Sequence, residues 1–108
     1  MISRMHLPGP HRIAYDPKLV PPLHLMRQEG IDVLEEWFRW GEEWSMLLRI
    51  YGRITSSSSI LEIGCGLGRI AFSLRFVLSA EGSYEGFEIC RNKVAFLERR
   101  FHRAYPNF

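Results

Sequence analysis

Leu61-Glu62-Ile63-Gly64-Cys65-Gly66-Leu67-Gly68-Arg69 is an apolar run that ends in a carboxylate and passes into three glycines separated by single residues. An apolar strand that hands over to an amphipathic helix through such a turn brings the carboxyl tip of a parallel strand close to a ligand. Glycine allows the sharp turn because it has no Cβ and reaches backbone conformations closed to other residues. The run therefore predicts an α/β fold with a site at the tip of a parallel sheet.

The spacing separates the two main ligand classes. A dinucleotide fingerprint reads G-x-G-x-x-G, and here the sixth position is Arg69, so the last letter fails. The turn also lacks the Lys-Ser/Thr ending of a phosphate-binding loop. Glu62, two residues before the first glycine, would repel a pyrophosphate and attract a ligand carrying an ammonium or sulfonium. The structural alternative for Glu62 is a strand-end ion pair with Arg53 or Arg69, since a half-buried charge needs a partner. Tyr84-Glu85-Gly86-Phe87-Glu88-Ile89 reads as a second strand ending in another acid. Glu88 falls about 20 positions after Gly68, where a ribose-binding carboxylate belongs, and its two oxygens can accept two hydroxyl protons. An exposed strand-end acid is the alternative there. Cys65, inside the turn, reads as a small residue packed beside the ligand, because no histidine is placed to activate it.

Three ordered blocks carry a family resemblance: Gly64-Cys65-Gly66-Leu67-Gly68-Arg69-Ile70-Ala71, then Tyr84-Glu85-Gly86-Phe87-Glu88-Ile89, then Tyr105-Pro106-Asn107-Phe108. They resemble the blocks "IGCGxGRxA", "YxGFDI" and "YPNF" of a bacterial group of class I S-adenosylmethionine-dependent methyltransferases, whose fold is Rossmann-like. The resemblance covers roughly Gly41 to Phe108, with Glu at 62 and 88 where that group more often has Asp. It implies S-adenosyl-L-methionine as cofactor, contacted by Glu62, Gly64, Cys65, Gly66, Gly68, Arg69, Glu88 and Ile89. In similar proteins a Gly-Glu pair, here Gly41-Glu42, covers the methionine end. It also implies an unidentified, small-molecule methyl acceptor. Similar proteins continue into a third strand after the last block. The expectation is thus the N-terminal part of a longer fold, with an incomplete sheet, weak cofactor binding and no methyl transfer by itself. An open sheet edge would favour self-association.

The rest of the chain organises around that unit. Residues 1–30, with Pro8, Pro10, Pro17, Pro21 and Pro22, read as an extended lead-in, because proline removes a donor and biases its predecessor away from helix. From Ile31 to Ile54 apolar residues recur every three or four positions, which predicts a helical cap. Trp37, Trp40 and Trp44 at that spacing read as core. Gly41 in mid-helix marks a break or a close approach. Thr55 to Ser59 is a polar connector. A β-α-β-α unit follows over 59–103, with strands near Ser59–Gly64 and Ser83–Ile89 and helices near Gly68–Leu78 and Arg91–Arg103.

Composition excludes more than it selects. The 108 residues are 46% hydrophobic and 24% charged with a formal net charge of +2, too small to imply nucleic acid or membrane. No apolar stretch reaches the length of a membrane span, and the N-terminus lacks a signal-peptide core. A cytoplasmic protein fits, and in a reducing cytosol Cys65 and Cys90 would not pair. His6, His11, His24 and His102 show no metal-ligand spacing, so no metal is expected. Two alternatives stand beside the methyltransferase: a fragment of an NAD(P)-binding oxidoreductase, and a non-catalytic half-domain acting as an interaction module.

Overall fold

The computed structural model describes residues 16–108. Most of the lead-in, with His6 and His11, lies outside the described residues. Within them the fold is α/β: four α-helices, a π-helical turn and a small parallel sheet.

Residues 16–30 depart from the extended reading. Pro22 is extended (φ −62°, ψ 147°) and opens helix α1, Leu23–Arg27. Proline biases its predecessor away from helix but is well suited to a helix start, where its missing N–H costs nothing. Gly30, in the left-handed region at φ 77°, ends this turn, and the Ile31 N–H donates back to Met26 O. Leu19, Leu25, Met26 and Ile31 are buried in the core, so these residues belong to the folded body.

Helix α2 runs from Leu34 to Ile50, one uninterrupted helix shorter at both ends than the periodicity suggested. Arg53, at φ 53°, turns the chain out of it. Its buried stripe is Trp37, Phe38, Gly41 and Ser45. At about 100° per residue this arc centres near Gly41 and places Trp40 and Trp44 on its shoulder. They are 44% exposed, so of the three tryptophans only Trp37 is core. The Arg69 guanidinium lies over the Trp40 ring at 5.2 Å.

Strands β1, Ser59–Ile63, and β2, Ser83–Phe87, pair in parallel from Ser59↔Ser83 to Ile63↔Phe87. Helix α3, Arg69–Leu74, connects them and packs against α2. There Phe72 meets Trp37 and Phe38 with ring centroids 5.2 Å from each. α3 stops earlier than the expected Leu78, and Arg75 to Val77 continue as a turn. The inner sheet face carries Ile60, Glu62, Tyr84 and Gly86. On the outer face Leu61, Ile63 and Phe87 are exposed.

The last expected helix is split. Arg91–Phe96 forms α4, and Leu97–His102 widens into a π-helical turn that buries Phe101. Exposed Arg91, Arg99, Arg100 and Arg103 occupy the solvent side. The chain then reaches the outer edge of β2: the Tyr84 N–H donates to Asn107 O at 2.8 Å. The Asn107 amide donates to Ser79 O and Gly82 O. Phe108 stacks on Tyr84 at 5.3 Å. Among the described residues β1 has only β2 as a strand partner. No helix among them is long and apolar enough to cross a membrane.

Candidate ligand site at the glycine turn

The chain between β1 and α3 needs its glycines. Gly64, Gly66 and Gly68 sit at φ 79°, 58° and 81°, a region L side chains avoid. A Cβ on Gly68 would lie 2.8 Å from Leu97 Cδ2, and one on Gly66 would lie 2.5 Å from a Glu29 carboxylate oxygen.

Every amide of the turn has an acceptor. The Gly64 and Cys65 N–H groups donate to Phe87 O at 2.8 and 3.0 Å, and Gly68 donates to Cys65 O at 3.0 Å. This ties the tip of β1 to the tip of β2. The other two donors end on carboxylates: Gly66 on Glu88 Oε2 at 2.9 Å, and Leu67 on Glu29 Oε1 at 3.4 Å.

Glu62 faces inward beneath the turn. Its partner is neither Arg53 nor Arg69 but the Tyr84 hydroxyl, which donates to Oε2 at 2.6 Å. Burial pushes the Glu62 carboxyl above the ordinary carboxylate range, against the lowering effects of the phenol and of the Arg69 charge. The Tyr84 hydroxyl is itself driven upward, first by burial and then by its bond to Glu62. Cys65 is buried beside both, and burial with the Glu62 and Glu88 charges pushes its thiol up to about 11. Such a thiol is a poor nucleophile at neutral pH. Both cysteines are free.

Glu88 is engaged differently from an outward-facing ribose acceptor. Oε1 accepts the Ile89 and Cys90 N–H groups at 2.8 and 2.9 Å, while Oε2 holds Gly66. These bonds, that of Cys90 foremost, hold its carboxyl below the ordinary range. Of roughly four lone-pair positions on a carboxylate, three are used. Ile89 offers a backbone N–H to Glu88 and projects its side chain into solvent.

Gly41 is set against α3 rather than the turn. A Cβ there would lie 2.3 Å from Arg69 O and 2.8 Å from Ser73 Oγ, so the close approach of two helices accounts for this glycine without a ligand.

Two residues escaped the sequence reading. Glu29, between α1 and α2, reaches the turn, and Lys93, in the first turn of α4, pairs with its Oε2 at 3.6 Å. Both side chains are only 14% exposed. Neither lies in a motif, and 38 positions separate Glu29 from Leu67. Helical spacing marks Lys93 merely as one of several cations.

Below the turn, a cavity of about 290 Å³ opens between the inner sheet face and the C-terminal helix, lined by Cys65, Tyr84, Gly86, Leu97, Phe101 and others. Among the described residues no group of three or more His, Cys, Asp or Glu is placed to hold a metal. The assembled chemistry is a tight turn ringed by Glu29, Glu62 and Glu88, with Lys93 and Arg69 as the nearby cations. No family model matches the chain, and no solved structure matches it significantly.

Proposed function

We propose that the chain is the cofactor-binding part of an S-adenosylmethionine-dependent methyltransferase with a Rossmann-like fold. The observation that carries this reading is the ring of three carboxylates around a turn whose amides already have acceptors within the chain. A diphosphate needs free amide donors and positive surroundings. In this structure those amides are filled, and the three carboxylates outnumber the two nearby cations, Lys93 and Arg69. A cationic donor meets the charge it requires, so the residues fit the cofactor that the sequence blocks suggest. When bound, S-adenosylmethionine supplies an electrophilic methyl group on a sulfonium.

The work assigned to this chain is binding and orientation. Glu62, anchored by Tyr84, provides the negative charge for the ammonium end. Glu88 keeps one acceptor position for a ribose hydroxyl while bracing the turn. Gly64, Gly66 and Gly68 let the backbone approach without side-chain interference. The methyl acceptor in this reading is a small molecule, with no role for nucleic acid or membrane.

Equilibrium dialysis of the full chain with labelled S-adenosylmethionine tests the proposal. Expected is weak binding that S-adenosylhomocysteine competes away, that NAD leaves unchanged, and that Glu62→Gln reduces at least tenfold. Preferential retention of NAD would replace the reading with a dinucleotide-binding one. No retention of either would favour an interaction module.

A further inference from the structure

The two carboxylates that fill the turn's side-chain-bound amides are held very differently. Glu88 makes three hydrogen bonds of 2.8 to 2.9 Å, two of them to its own neighbours in sequence. That is a structural brace. Glu29 comes from a distant segment, touches the turn through one long hydrogen bond, 3.4 Å to the Leu67 N–H, and makes one long ion pair, 3.6 Å to Lys93 of α4. Both distances lie at or beyond the outer end of ordinary hydrogen bonding. A charge buried to this degree needs strong compensation, and Glu29 has only these loose contacts in the described structure.

The position it fills is nevertheless well defined. Its Oε2 stands 2.5 Å from where a Gly66 Cβ would project, so the carboxylate rests directly on the turn's backbone. Lys93 and the Leu67 N–H converge on it from α4 and from the turn. Beside Glu29, Gly30 has a positive φ and, its chain neighbours aside, no heavy atom within 4 Å of its Cβ position, so this joint of the chain is not packed against the body on that side.

We propose that Lys93 and the Leu67 N–H form a receptor for a ligand carboxylate, and that Glu29 is its resident occupant in the free chain. A ligand carboxylate enters by exchange, because two carboxylates cannot share one ammonium and one amide without strong repulsion. This deepens the methyl-donor reading, since it assigns the donor's amino-acid carboxylate to Lys93, and it rests on that reading for the ligand's identity. The exchange itself is testable with a simpler probe.

The experiment is an amide and side-chain NMR titration of the full chain with L-methionine, using L-methioninol, which lacks the carboxylate, as control. Expected is a saturable shift of the Leu67 N–H and of the Lys93 side chain in Glu29→Gln, with a midpoint at least tenfold below that of the wild type. Lys93→Met in the Glu29→Gln background should abolish it, and L-methioninol should give none. Equal midpoints with and without Glu29, no shift in either protein, or equal shifts with L-methioninol would overturn the proposal. Glu29→Ala, read in the same way, covers the case in which glutamine disturbs the fold. Unfolding of both variants would make Glu29 a structural prop and also overturn it. A chain that binds L-methionine as described but retains no S-adenosylmethionine sinks the methyl-donor reading alone, and the reverse pattern sinks only the carboxylate receptor.

Discussion

Gly41→Ala tests whether the helix crossing holds the glycine turn in place. In α2 an alanine is intrinsically better than glycine by about 1 kcal/mol, so a loosely packed position would be stabilised. At Gly41 the new Cβ would sit 2.3 Å from Arg69 O, about 1 Å short of ordinary contact, and 2.8 Å from Ser73 Oγ. The nearer obstacle is a backbone carbonyl in the first residue of α3, which cannot rotate out of the way. Overpacking of this kind costs about 1–3 kcal/mol or more. An overlap this deep with backbone takes the upper part of that range, about 2–3 kcal/mol, so the expected balance is a net loss of about 1–2 kcal/mol, which for a chain of this size lowers Tm by roughly 4–16 °C. Arg69 follows Gly68 directly, so separation of the helices should also displace the turn and shift the amide resonances of Gly66 and Leu67. Thermal and urea unfolding followed by circular dichroism, with amide spectra of the folded variant, measure both effects. A variant as stable as the wild type or more so, with those amides unmoved, would refute the claim that this contact positions the turn.

Tyr84→Phe leaves the half-buried Glu62 carboxylate without its hydrogen-bond donor, which should cost about 1–3 kcal/mol at neutral pH, read from urea midpoints. Because burial raises the folded Glu62 pKa, this group's contribution is fully present below its unfolded pKa and is lost as pH rises through the folded value. The cost of Tyr84→Phe should therefore shrink in acid. Glu88 carries the opposite sign. Its pKa is lowered by the N–H groups it accepts, so its contribution is present above the unfolded pKa and disappears as pH falls through the depressed folded value. Glu88→Gln should reduce stability near neutrality and converge on the wild type in acid. With its thiol pushed up to about 11, Cys65 should react with iodoacetamide at neutral pH at least about 100-fold more slowly in the folded chain than in urea. Comparable rates, measured by peptide mass spectrometry, would contradict the buried, carboxylate-flanked placement.

What was legible in the sequence was local. The apolar run ending in Glu62, the three glycines and the second strand near Tyr84 place β1, the turn and β2 within two residues of their observed bounds, because glycine conformation and strand patterning act over neighbouring positions. The tip-to-tip bonds from Gly64 and Cys65 to Phe87 follow from the parallel pairing. Residues that act across the fold were not legible. Glu29 reaches the turn only because α1 folds back on the core, and its five residues were hidden behind prolines that read as extended. The exposure of Trp40 and Trp44 depends on which side of α2 meets α3, and the spacing of apolar residues alone is too broad to fix it. The π-helical turn at Leu97–His102, which buries Phe101, was not legible either, because apolar spacing of three to four residues does not distinguish it from a continuing α-helix.

The balance of charge at the turn bears directly on the choice between ligand classes. At about 5 Å and an effective dielectric constant near 20, each pair of unit charges is worth about 3 kcal/mol. Lys93 offsets Glu29 and backbone N–H groups solvate Glu88. Glu62 has a phenol as its bonded partner and only a more distant arginine charge, and burial already disfavours its ionised form. An incoming ammonium or sulfonium would relieve that disfavoured charge and draw the carboxyl toward ionisation. By linkage, the affinity for a cationic ligand must then rise as pH rises through the raised Glu62 pKa. A diphosphate at the same place would do the reverse, since it would bind better once Glu62 is protonated. The sign of the pH dependence therefore separates the two ligand classes even where both bind weakly, and Glu62→Gln should flatten it in either case.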